Sequence, residues 1–308
     1  MGILKKAGSA GVFRRLVQLV GPVLLVFIVI KFVDLPLLAD TFKGASPSYL
    51  FLAYLLTVIM FLGKIFRIYL PLRKSAVRIR FYYFTRIFIS TRLLGWISNT
   101  FVSDIANVAI LMATEEKKMR ISNLFILNRV ADIVPTLVIF GITFSLNSGF
   151  IGSYIHLSYD KMIALSAVTI LAMFLFFILK TKIMIYVKDF FATGRIFFSD
   201  IFIWTILIVT CGIFSMIFDA KALHMDLATS FLLLCYTIGI AISVLPISIS
   251  GIGTREIAFI FLMNLVGIAP EKAIAISFLE FIVMPLIALA TLYAASLIGV
   301  KYEDSYNR

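Results

Sequence analysis

Nine long apolar stretches follow one another along this chain, and they determine its fold class. A helix needs roughly 20 apolar residues to cross the hydrocarbon of a bilayer. Hydrophobic residues make up 62% of the 308 positions, against about half in a soluble domain. We therefore predict an all-α, polytopic membrane protein of about seven or eight spanning helices plus two re-entrant or broken segments, forming a single transmembrane domain over residues 1–308. The apolar stretches are 16–36, 49–70, 84–113, 121–146, 160–180, 196–218, 227–247, 255–268 and 272–299.

The distribution of Lys and Arg predicts which helix ends face the cytoplasm, because positive residues accumulate in cytoplasmic loops. They collect before the first apolar stretch, after the second and after the fifth, whereas the connector 147–159 has none. We therefore place the N-terminus in the cytoplasm. The net charge of +12 then follows from topology, and we predict no nucleic-acid partner. The residues concerned are Lys5, Lys6, Arg14, Arg15, Arg73, Lys74, Arg78, Arg80, Arg86, Lys180, Lys182, Lys188 and Arg195.

The stretch 84–113 is predicted to enter the membrane and return as a helical hairpin. If it crossed fully, the connector with Lys117, Lys118 and Arg120 would lie outside, against the charge rule. Its middle, GWISNTFVSDIAN, is polar and turn-prone, as a hairpin tip requires. Asp104 is then expected at this tip, in contact with water.

A polar segment, LPISISGIGTRE (245–256), interrupts the later apolar region. In hydrocarbon, freed backbone groups need partners, so such a segment is expected only where protein or water surrounds it. The apolar piece after it has about 13 residues and covers about 20 Å, short of the roughly 30 Å core. Two interrupted segments in separate halves are typical of a transporter site at mid-depth.

The start of this short helix has the chemistry of an anion site. Free N–H groups and the positive end of the helix dipole attract anions, and Arg255 adds a guanidinium suited to phosphate. Glu256 beside a headgroup could bind an amine or a proton. The alternative is that the glycines only break the helix, Glu256 caps it and Arg255 extends to the interface. The candidate residues are Ser248, Ser250, Gly251, Gly253, Arg255 and Glu256.

A second polar group lies in the stretch 121–146. Asn128, Arg129 and Asp132 are three or four residues apart, so they share one helix face about 10 to 12 Å below the cytoplasmic end. A charge at this depth is costly unless it is paired or hydrated. We predict a gate or a headgroup contact, and the alternative is a buried Arg–Asp pair that only locks helices together.

Other ionisable or polar residues inside apolar stretches complete the candidate set. Arg92, Trp96 and Asn99 recur at helical spacing, so Arg92 and Asn99 are candidates for one cavity wall. An interfacial arginine with an aromatic anchor is the alternative. Glu280 is the best candidate counter-charge for Arg129 or Arg255.

No motif for a nucleotide, a metal or a catalytic nucleophile stands in the sequence. Cys211 and Cys235 lie inside apolar runs, where a thiol usually acts as a small hydrophobic group. His156 and His224 lie in short connectors without metal-ligand spacing. We predict no cofactor, no metal and no catalytic residue.

Three pieces of the sequence resemble the transmembrane region of lysylphosphatidylglycerol synthases, the MprF-type flippase domain. They are STRLLGWISNTFV (90–102), LNRVADIV (127–134) and LPISISGIGTREIAFIFL (245–262). The third is similar to the family pattern L-P-x-S-x-G-G-x-G-x-R-E, with Ser250 in place of its first glycine. The second resembles the family's E/N-R-x-x-D helix. After Asn99 the family's glycine-rich turn is replaced by TFVSDIANVAIL, so either the substrate differs or this half has lost part of its function.

The resemblance implies a stand-alone, flippase-like protein of the prokaryotic inner membrane. Its partners would be membrane lipids, recognised through a phospholipid or polyprenyl phosphate headgroup. Because the aminoacyltransferase domain of the full synthases is not in this sequence, we expect lipid transport rather than an enzyme. A non-transporting subunit or scaffold for a lipid-modifying enzyme and an intramembrane lipid transferase stay open as alternatives. Either a homodimer or a complex with such an enzyme would fit.

Overall fold

The structure is a computed structural model that describes residues 34–74, 79–97, 100–114, 118–148, 187–244 and 251–306. Every regular element within these ranges is helical. A π-helical segment, Leu279–Val283, joins the last two helices. The helices are α1 (Leu35–Lys43), α2 (Pro47–Lys74), α3 (Phe81–Ile97), α4 (Thr100–Thr114), α5 (Lys118–Leu146), α6 (Val187–Ala222), α7 (Thr229–Val244), α8 (Thr254–Leu265), α9 (Pro270–Phe278) and α10 (Met284–Tyr306).

Four helical stretches of the described ranges are long and apolar enough to cross a membrane. They are Pro47–Lys74, Ile121–Leu146, Ser199–Ala222 and Pro270–Ile298, the last of which runs from α9 through the π-helical segment into α10. The predicted all-α, polytopic membrane fold is therefore confirmed. The apolar stretch 160–180 and most of 16–36 lie outside the described residues.

Helices α2 and α6 pack along each other more extensively than any other pair of described helices. At Gly63 the side chains of α6 lie so close that an added Cβ would be 3.0 Å from the Ile208 side chain. The hydroxyls of Thr57 and Ser215 lie 3.1 Å apart in this interface. Toward the end of α2, the ammonium of Lys74 donates to Asp200 at 2.6 Å. Polar contacts therefore hold the pair together at both ends of an apolar interface.

The stretch predicted to be re-entrant forms two helices, α3 and α4, which pack against each other. Their 17 and 15 residues cover about 26 and 23 Å, less than the roughly 30 Å hydrocarbon core. Residues 98 and 99 lie outside the described ranges. Entry of this hairpin from one side of the membrane stays a prediction.

The described chain resumes after α7 at Gly251, in a glycine turn that leads into α8. Gly251 and Gly253 have φ angles of 83° and 89°, in the left-handed region that favours glycine. Helix α8, which follows, has 12 residues and covers about 18 Å, too little to cross the membrane. The start of α8 lies directly against α7, since an added Cβ at Gly251 would come within 2.9 Å of the Cα of Ser243.

Candidate functional site

A cavity of about 270 Å³ lies between the helices, and charged side chains form much of its polar lining. The rest of the wall is largely apolar, with Met60, Phe61, Ile208 and Leu289 among its members. Five cations and two carboxyl groups border the cavity within the described residues. These are Lys64 and Arg67 from α2, Arg92 from α3, Arg129 and Asp132 from α5, Arg255 from α8 and Glu280 from the π-helical segment.

Ion pairs between different helices hold three of these arginines. Arg67, which is 2% exposed, donates to Asp132 and, at 3.2 Å, to the hydroxyl of Thr205. Asp104 on α4 forms an ion pair with Arg129 and lies 3.5 Å from Arg92. Because a buried charge without a partner is costly, these pairs fix α2 to α5 and join α3, α4 and α5 around one carboxylate. Asp104 is therefore buried and ion-paired, and its predicted place at a wet hairpin tip is wrong.

The start of α8 is built around the adjacent pair Arg255 and Glu256. The Arg255 guanidinium donates twice to Glu256 Oε1, at 2.7 and 3.0 Å. Glu256 Oε2 accepts from the backbone N–H of Gly253 at 2.6 Å and so caps the helix. Arg255 is 3% exposed and lies 4.4 Å above the Phe281 ring. The cap expected in the alternative interpretation is thus present, but Arg255 points into the protein rather than toward the interface.

Two hydroxyls complete this cluster. The Ser277 hydroxyl donates to Glu256 Oε1 at 3.1 Å, and Arg255 Nη1 lies 3.4 Å from the Ser243 hydroxyl. The second Glu256 oxygen is committed to the helix cap, so this carboxylate has little capacity left to bind an amine or exchange a proton. Arg255, which borders the cavity, is the member of the pair that can contact a ligand.

Lys64 differs from the arginines because it has no counter-charge in contact. Its ammonium lies 5.0 Å from the Phe61 ring centroid, and within the described ranges no carboxylate comes within ion-pair distance. It borders the same cavity as Arg67 and Arg129. Among the described residues the cavity therefore holds a cation without a paired carboxylate, which water or a ligand can partner.

Glu280 lies in the π-helical segment, beside Asp219 of α6. The two carboxyl groups lie where α6 packs against the π-helical segment, and they are 6% and 0% exposed. Neither forms an ion pair with another described residue, whereas Arg129 pairs with Asp104 and Arg255 with Glu256. Glu280 thus forms no ion pair with Arg129 or Arg255 in the described structure, although it borders the same cavity as both. Asp219, near the end of α6, is fully buried beside it.

A family model described as the lysylphosphatidylglycerol synthase TM region matches residues 15–291, about nine-tenths of the chain. The chain belongs to this family. The match to the lysylphosphatidylglycerol synthase TM region covers every charged residue that borders the cavity. No curated protein and no solved structure matches the chain.

Five of the nine predicted site residues that the structure describes border one space. Arg92, Arg129, Asp132, Arg255 and Glu280 border the cavity. Asn128 is 2% exposed, and its amide has no hydrogen-bond partner within the described residues. Gly251 and Gly253 form the turn into α8. The remaining predicted residues, Asn99, Ser248 and Ser250, lie outside the described ranges.

Sequence reasoning missed Lys64 and Arg67, which border the cavity. Both lie near the end of an apolar stretch, where long basic side chains usually extend to the interface. One signal was available. Lys64 and Arg67 precede Lys74 by ten and seven residues, so they lie about 15 and 10 Å inside the helix end. A basic side chain at that depth is far from the water at the membrane interface.

Proposed function

We propose that this protein is a lipid translocase of the prokaryotic inner membrane, which moves a phospholipid or another lipid-linked anionic substrate between leaflets. The observation that carries the proposal is the Lys64 ammonium, which borders the cavity and has no carboxylate at ion-pair distance among the described residues. Ion-paired arginines also line the cavity and add to the positive charge of its wall. Family membership supports a function in membrane lipid chemistry.

The size and lining of the cavity suit a lipid headgroup. Ligand pockets are typically a few hundred Å³, and about 270 Å³ is enough for a phosphate-bearing headgroup but not for acyl chains. The chains would remain in the bilayer while the headgroup crosses the polar interior. The Arg255 guanidinium uses some of its N–H groups to bind a carboxylate. Its other N–H groups can still donate to phosphate oxygens.

Lys64→Gln should slow transbilayer movement of an anionic lipid about tenfold, because a hydrogen bond to a charged group contributes roughly 1.5–3 kcal/mol and 1.4 kcal/mol is a factor of ten. The full chain is reconstituted in phosphatidylcholine vesicles with acyl-chain-labelled phosphatidylglycerol. An impermeant quencher then reports the label that reaches the outer leaflet. Labelled phosphatidylcholine serves as the zwitterionic comparison.

Lys74→Gln is the matched control, since Lys74 lies on the same helix but pairs with Asp200 outside the cavity and is 58% exposed. It should leave the rate within about twofold of the wild type, because exposed ion pairs contribute little. A wild-type protein that moves neither lipid faster than empty vesicles would overturn the proposal and favour the scaffold. Equal slowing by both substitutions would remove Lys64 from it.

A further inference from the structure

The carboxyl pair of Asp219 and Glu280 is a feature that the proposed function leaves unused. Both Asp219 oxygens and Oε2 of Glu280 are buried, and no described residue donates a hydrogen bond to them. An unsatisfied buried carboxylate oxygen is costly, and two such groups side by side also repel each other. A proton shared between them removes both costs, because the protonated oxygen becomes the donor that the pair lacks.

The pair touches the cavity through only one of its members. Glu280 borders the cavity, whereas Asp219 lies behind it at 0% exposure. Glu280 lies in a π-helical segment, a local widening of the helix that is frequent at functional sites. The charged and titratable side chains that face Glu280 from other helices are Lys64 of α2, Asp219 of α6, Tyr236 of α7 and Arg255 of α8.

Lys64 and Glu280 border the same space, so the charge of Glu280 decides what Lys64 attracts. An ionised Glu280 supplies negative charge to the cavity, offsets Lys64 and repels an anion. A protonated Glu280 removes that negative charge, and since the nearby Asp132 carboxylate is already paired with Arg67, the Lys64 ammonium is then available to a phosphate. Arg255 does not replace Lys64 as the cation for a phosphate, because its positive charge is already paired with Glu256 at 2.7 Å.

We infer that the Asp219–Glu280 pair is a proton-binding site whose protonation favours binding of an anionic headgroup in the cavity, an inference that rests on the proposed lipid translocation. One proton enters the pair as one negative charge enters the cavity, so the net charge of the buried region stays constant. Lipid and proton would then cross the membrane in the same direction. Release of the proton would favour release of the lipid.

The test measures the affinity of the detergent-purified full chain for dihexanoyl phosphatidylglycerol by isothermal titration calorimetry between about pH 6 and pH 9. The phosphodiester of this soluble lipid keeps its charge over that range. If binding is linked to one proton, Kd should rise with pH, by up to about tenfold per pH unit. Glu280→Gln keeps the shape and stays neutral, so its Kd should vary by less than about twofold over the range.

Two further variants separate the carboxyl pair from other titrating groups. Lys64→Arg keeps a cation that does not lose its proton at these pH values, so it should retain the wild-type slope. Asp226→Asn, an exposed carboxylate just beyond α6, should also retain it. If Glu280→Gln does not fold, Asp219→Asn replaces it with the same expected loss of slope.

The outcomes distinguish this inference from the function on which it rests. No binding of the soluble lipid at any pH would overturn both. Binding with a Kd that does not depend on pH, a slope that survives in Glu280→Gln, or a slope lost in Lys64→Arg would each overturn proton coupling at the pair alone. In those cases the proposed translocation of an anionic lipid would still stand.

Discussion

Glu256→Ala should lower the free energy of unfolding by about 3–5 kcal/mol, since removal of one partner of a buried ion pair leaves the other charge uncompensated. The guanidinium of Arg255 would then stay at 3% exposure without its carboxylate, and the N–H of Gly253 would lose its acceptor. The start of α8 has no other side-chain cap among the described residues. The loss should therefore exceed that of an ordinary cap.

The chain offers a direct measurement of this effect. Its two cysteines, Cys211 and Cys235, are buried at 4% and 0% exposure. A fluorogenic thiol reagent should therefore react mainly with the unfolded protein in a thermal or denaturant scan. Glu256→Ala should shift the midpoint of the reaction to milder conditions.

The double substitution Arg255→Met with Glu256→Gln is the matched control. It removes both charges and keeps an amide that can accept from the Gly253 N–H. Replacing a buried pair with uncharged groups of similar volume is often neutral, so the double variant should recover most of the lost stability while losing lipid movement. A double variant as unstable as Glu256→Ala would show that the charges themselves are not the cause.

Gly251→Ala should lower the free energy of unfolding by about 2–4 kcal/mol, the second large effect expected. The φ angle of 83° costs roughly 1–2 kcal/mol for a residue with a side chain. The new Cβ would also approach the Ser243 Cα to 2.9 Å, and a backbone atom of α7 cannot turn away as a flexible side chain could. Overpacking of this kind typically costs 1–3 kcal/mol.

Gly267→Ala separates the two causes, because Gly267 has a φ of 74° but no atom within 4 Å of an added Cβ. It should incur only the dihedral cost and unfold at a midpoint between the wild type and Gly251→Ala in the same thiol assay. Equal destabilisation by the two substitutions would mean that the close approach of α7 to the start of α8 contributes nothing.

The interruption of the fold could be predicted from the sequence because glycine, proline and charge are local signals. LPISISGIGTRE marks the end of one helix and the start of a short one, and the structure places Gly251, Gly253 and Arg255 at that start. The hydrophobic stretches likewise predict an all-α membrane fold without any knowledge of packing.

The pairing of charges could not be predicted, because it depends on which helices meet. Arg129 and Asp132 are three residues apart on one helix, which suggests a mutual pair. Their partners are instead Asp104 on α4 and Arg67 on α2. The ion pairs therefore join α5 to α2 and to α4, and do not join the two residues of α5 to each other. The position of Asp219 beside Glu280 could not be predicted for the same reason, because it depends on the packing of α6 against the π-helical segment.

In the proposed lipid translocation, the tight packing of α2 against α6 limits where the cavity can open. The close approach at Gly63 and the polar contacts of Thr57 and Lys74 favour movement of these two helices as one unit. We therefore expect rocking motions to hinge at the glycine turn before α8. A cross-link that fastens α2 to α6 should leave such rocking intact, whereas one that fastens α7 to α8 should arrest it.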